Sequence, residues 1–195
     1  ARRSLNLILE TSNRLVAKRK PEEIANIVLQ EITRMLSLPP EGIVCVQSQP
    51  TATIDSRQIH IIGAAGRLAT LVGATLAELE SREISDALVT ALHQQHDVNT
   101  RNGSVLFFPP HLTFEHYAVY VATGRKLQQT EYELIKVFID TAARGFGTAK
   151  LLNSLERQAF VDPLLDIGNR NAIRREIQRA IDNPEAAPQN LLNID

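Results

Sequence analysis

Four short runs rich in β-branched and aromatic residues, falling in two consecutive pairs between segments of helical period, constrain this chain more than any other feature. Residues 43–47 are followed, after a polar loop holding Pro50 and Asp55, by a second run at 58–62. Residues 104–108 are followed, across Pro109-Pro110, by a run at 114–122 that alternates at Tyr117, Val119 and Val121. Such pairs read as antiparallel neighbours, and strands closed by helices on one side indicate an α+β domain built on an antiparallel sheet.

The helical segments supply the other layers. Residues 2–18 place Leu5, Ile8, Leu9, Leu15 and Val16 on one stripe. Pro21 suits the first position of a second helix, with Glu22 and Glu23 where the macrodipole favours anions and Ile24, Ile27, Val28, Ile32, Met35 and Leu36 on its apolar side. Residues 85–96 have helical spacing and end at the turn signal 99–103. A long helix is expected from Thr130, its candidate N-cap, with Leu134, Phe138, Ala142, Ala149, Leu152, Leu155 and Ala159 as a nearly continuous stripe. Residues 68–79 stay ambiguous, because Leu68, Leu71, Val72, Leu76 and Leu79 could support a helix that Gly73 weakens.

Composition narrows the function classes. Apolar residues make up 44% and charged residues 22%, enough to fold a core and too apolar for intrinsic disorder. With 21 basic against 22 acidic residues the net charge is -1, so no field draws the chain to nucleic acid or to an anionic membrane. Basic residues are scattered, Lys18-Arg19-Lys20 reads as a solvated turn, and aromatics are only 5%, which argues against a nucleic-acid surface. The single cysteine, Cys45, sits inside an apolar run, as a buried structural thiol of a reducing compartment does. No apolar run approaches the roughly 20 residues of a membrane span, and a cytoplasmic location is expected.

Catalytic and metal constellations are weak. His93 and His96 sit three apart without a third ligand of fitting spacing, His60 reads as a strand residue, and His111 and His116 have no cysteine or carboxylate motif beside them. Gly63-Ala64-Ala65-Gly66 lacks the Gly-Lys-Ser/Thr ending of a phosphate loop. No catalytic residue, metal site or cofactor is expected in this chain.

The most specific stretch is 160–173, where Asp162, Leu164, Asn169 and Arg170 follow directly on the long helix. It resembles the opening motif of GGDEF domains, with Ile167 for the second leucine and Leu165 where threonine is common. Residues 174–181 and 191–195 then look like the first helix and first strand of such a domain. The four motif residues read as hydrogen-bonding anchors of a turn rather than as chemistry. Aligned on Ile194, the position of the usual GGDEF metal ligand is Asn193, whose amide brings no negative charge to a cation. The resemblance therefore implies a downstream domain impaired in making cyclic di-GMP; Mg²⁺ and GTP would belong only to a complete, active one.

Upstream, the order of elements and the 4–10 helix look like the GAF-like sensor of bacterial response regulators. The chain divides on this reading into a GAF-like sensory domain at 1–128, a signalling helix at 129–160 and the truncated start of a GGDEF domain at 161–195. Both ends read as cut, with a receiver domain implied upstream and GGDEF and EAL domains downstream. The implied mechanism has the sheet carrying a small-ligand pocket on one face. The first and last helices lie on the other and pair two copies through Leu152, Leu155 and Ala159. Gly145 and Gly147 either let helices approach or loosen the last one. Two other readings stay open: a small-molecule enzyme with an unrecognised pocket, and a ligand-free dimerising spacer.

Overall fold

The computed structural model describes residues 15, 18, 20–48, 55–160, 173–175, 177, 178 and 182. The chain divides into two compact units, Ala1–Leu151 and Leu152–Asp195. In the first unit, α1 (Pro21–Met35) leads into β1 (Gly42–Gln47) and β2 (Ile59–Ala65). Then come α2 (Arg82–Gln94), β3 (Val98–Asn99), β4 (Ser104–Phe108), β5 (His116–Val121) and α3 (Gln129–Phe160), which ends in the second unit. The sheet order is β2-β1-β5-β4-β3 with every pair antiparallel.

Period-two alternation splits the strands between two cores. Val44, Val46, Leu106, Phe108, Tyr117, Val119 and Val121 face α1 and α3. Ile43, Cys45, Ile59, Ile61, Val105, Phe107, Ala118 and Tyr120 face α2 and the turns before it. Both faces are thus buried, which is why the central strands read as apolar runs rather than strict alternations.

Helix α1 starts as expected, with Pro21 in its first turn followed by Glu22 and Glu23. It lies close on β2, where a Cβ on Gly63 would stand 2.7 Å from the Ala25 Cβ. Helix α2 begins three residues earlier than the apolar spacing suggests, because the Ser81 hydroxyl accepts from the Ile84 N–H. It ends at Gln95, which takes the left-handed conformation (φ 55).

Several expectations are corrected. The second strand runs on through Gly63, Ala64 and Ala65, held by β1 pairing against their weak propensity. The fifth strand is shorter than 114–122, and Phe114 lies outside it, 89% exposed. The turn signal at 99–103 conceals a two-residue strand, since Val98 and Asn99 pair with Val105 and Ser104. The ambiguous stretch holds two short 3-10 helices, Gly66–Leu71 and Leu76–Glu78, separated at Gly73, whose φ is 88.

The last helix differs most from its reading. It begins at Gln129, so Thr130 lies inside it and is not the N-cap; the Gln128 N–H is instead taken by the Glu131 carboxylate at 2.9 Å. Its buried face is Ile135, Phe138, Ile139, Ala142, Ala143, Phe146 and Ala149, while Leu152 and Leu155 are exposed, so the expected stripe is not one continuous face. Of residues 2–18, expected as a helix, only Leu15 and Lys18 are among the described residues; Leu15 is helical and fully buried in the α1/α3 core.

Candidate functional site

The face of the sheet under α2 is where a small-ligand pocket is expected. Its residues are packed instead: Ile43, Cys45, Ile59, Ile61, Leu76, Leu88 and Ala91 are all 0% exposed. Burial without a compensating charge pushes the Cys45 thiol far above its ordinary value, so it is an inert core residue as its apolar run suggests. Space remains at the rim, in a cleft of about 560 Å³ lined by Glu41, Arg67, Glu80, Asn102 and Tyr120 among others. Arg67 spans it by donating to Glu41 through Nε at 3.0 Å and Nη2 at 2.6 Å. Burial and the neighbouring Glu41 and Glu83 carboxylates push the Tyr120 hydroxyl up, which keeps it neutral.

At the other end of the same face, His116 packs edge-on against Phe107 with ring centroids 5.7 Å apart. The ring hydrogen-bonds the Leu92 carbonyl of α2, while its buried Nδ1 has no partner among the described residues. Burial holds its pKa below the ordinary histidine value. Sequence spacing gives His116 no ligand partners, and its packing role depends on a β5–α2 approach that spacing does not reveal.

Two carboxylates hold α3 down, Asp97 from the sheet edge and Glu115 from the start of β5, each taking one tyrosine hydroxyl and one lysine ammonium. Asp97 accepts from Tyr132 at 2.6 Å and Lys136 at 3.2 Å, and also from the Phe107 N–H at 2.8 Å. Its hydrogen bond pushes Tyr132 up to about 12. Glu115, itself buried, accepts from Tyr117 at 2.5 Å and pairs with Lys150 at 2.6 Å. Beside this second clasp Tyr117 stacks on Phe146 at 4.2 Å, and Phe108 meets Phe146 edge-on at 5.7 Å. Next to Asp97 and Tyr132 lies a cavity of about 330 Å³ whose wall includes Asn99, Ser104, Lys126 and Gln129.

The outward side of α3 is the third feature. Leu134, Val137, Thr141, Arg144, Thr148, Leu151 and Leu155 follow one another at alternating intervals of three and four. Val137 is 55%, Leu151 44% and Leu155 52% exposed. Leu152 lies beside this seam, 37% exposed. Of the other expected residues, Ala159 falls within α3 but its side chain lies outside the described residues, as do Asp162, Leu164, Asn169, Arg170 and Asn193 altogether. Among the described residues no three His, Cys, Asp or Glu side chains form a group able to hold a metal ion, and no helix is long and apolar enough to cross a membrane.

A family model described as a domain of unknown function (DUF3369) matches residues 1–155. The chain belongs to that family. No curated protein matches it in sequence. Among solved structures it is similar to the GAF domain of an Acinetobacter phosphoenolpyruvate-protein phosphotransferase, with a TM-score of 0.55 at 8% identity over 78% of this chain and 97% of that one. It is similar also to the phycoerythrobilin-bound GAF domain of a cyanobacterial phytochrome, with a TM-score of 0.50 at 11% identity over 77% of this chain and 97% of the other. At such identities the likeness is one of fold, and this DUF3369 member has the GAF fold that the order of its strands and helices implied.

Proposed function

We propose that this DUF3369 domain is a non-catalytic regulatory module of a cytoplasmic bacterial signalling protein, pairing two copies through α3 and passing their relative arrangement to a downstream domain. The observation that carries the reading is the seam on α3. One side of the helix is buried under the sheet as far as Ala149, and the other shows heptad spacing with Leu151 and Leu155 exposed. Leu152 and Ala159 flank the same segment, where the opening motif with Asp162, Leu164, Asn169 and Arg170 follows.

That motif favours a GGDEF domain as the recipient, in a protein that controls cyclic di-GMP, with a receiver domain before it and an EAL domain after it. Asn193 at the metal-ligand position favours a recipient with little synthetic activity. Production of cyclic di-GMP from GTP and Mg²⁺ by the full-length protein at ordinary rates would remove that part of the reading.

The packed face under α2 favours an interior without ligand, and a small polar molecule, if one is sensed, enters at the Glu41/Arg67 rim cleft. Replacing Leu155 by Cys tests the parallel arrangement. Like positions of a parallel pair come within disulfide reach, so oxidation should give a covalent dimer, and Cys45 is buried and cannot supply it. A chain that stays monomeric after oxidation would count against parallel pairing.

A further inference from the structure

The two layers of this domain lie on opposite faces of one sheet, so a movement of α2 reaches α3 only through the sheet or around its edge. Asp97 occupies the edge. It follows the left-handed Gln95 that ends α2 by two residues and immediately precedes β3. Strand β3 pairs with β4 only at Val98 and Asn99, and the Asp97 carboxylate continues the ladder by accepting the next outward N–H, that of Phe107, at 2.8 Å.

The same carboxylate accepts the Tyr132 hydroxyl at 2.6 Å and the Lys136 ammonium at 3.2 Å, from successive turns of α3. Its side chain is 17% exposed and that of Lys136 34%, so these charged bonds are less screened than a surface pair. Hydrogen bonds of this kind keep their heavy atoms within about 2.7–3.2 Å and weaken steeply once bent below about 120°, and the Lys136 contact at 3.2 Å already lies at the long end of that range. A shift of about 1 Å at the end of α2 therefore cannot leave all three donors in place. The Glu115 clasp differs in kind, because it joins α3 to β5 without involving α2.

We propose that Asp97 is a positioning residue that transmits displacement of α2 to the first turns of α3. The inference rests on α3 being the output helix, but its test is read within one chain and does not depend on oligomeric state or on a downstream domain.

The experiment is native-state hydrogen exchange on the whole chain, with amides at 129–137 normalised to those of β1. Leu92→Val perturbs α2 at a residue 1% exposed against the sheet. In the parent background it should speed exchange in the first turns of α3 by about three- to tenfold. In an Asp97→Ala background the same substitution should add less than about twofold, whereas in a Lys150→Met background the full factor should persist. Should Asp97→Ala fail to fold, Tyr132→Phe, which removes one oxygen, replaces it with the same expectation. An unchanged factor in the Asp97→Ala or Tyr132→Phe background, or no effect of Leu92→Val on 129–137, overturns the proposal.

Discussion

Gly147 and His111 meet backbone to backbone: a Cβ on Gly147 would stand 2.0 Å from the His111 carbonyl oxygen. The loop between β4 and β5 crosses α3 at this point, and only a residue without a side chain lets it pass. Gly145, one half-turn away, has ordinary room, with its nearest neighbour, the Leu15 Cβ, 3.5 Å from such an atom. The two glycines, which the sequence presents as one small-residue patch, therefore have different roles. Gly147→Ala should destabilise by about 2–3 kcal/mol through the clash, while Gly145→Ala should be neutral or gain up to about 1 kcal/mol of helix propensity. Urea unfolding of the two variants distinguishes them, and equal effects would contradict the geometry.

His116 sets a pH dependence. Its folded pKa lies below the unfolded one, so the unfolded state binds the proton more readily. Its contribution is complete above about pH 6.5 and is lost as pH falls below that value. Unfolding free energies measured from pH 7.5 down to 5 should decline, and His116→Gln should flatten the decline whatever it does to stability at pH 7.5.

Glu115 is buried and Lys150 half-exposed, so the two substitutions that break this pair should not be equivalent. Glu115→Ala strands the buried Tyr117 hydroxyl and should cost about 2–3 kcal/mol. Lys150→Met leaves the carboxylate its tyrosine donor and should cost about 1 kcal/mol. Thermal unfolding of both variants checks the order, and a larger loss for Lys150→Met would reverse the assignment of the buried partner.

Much of the architecture was legible because it rests on local signals. Pro21 with Glu22 and Glu23 marked α1, and the apolar runs around Cys45 and Val119 marked the sheet's centre. What stayed hidden depends on partners distant in sequence. Val98 and Asn99 form a strand only because β4 is beside them, and Gly63 to Ala65 extend β2 only because β1 pairs with them. Asp97 and Lys136 lie 39 residues apart, a relation that no spacing rule detects. On α3 the leucines were visible but not their division into faces, since Ala142 and Ala149 belong to the core while Leu151 and Leu155 turn outward.

The central claim is that this outward seam joins two copies. Light scattering on the chain and on the double variant Leu151→Glu/Leu155→Glu tests it directly, because both positions are exposed and the substitutions leave the core intact. The account predicts a dimer for the parent and a folded monomer for the variant, with like charges facing across the seam. A parent that is monomeric at tens of micromolar, or a variant that remains dimeric, would contradict it.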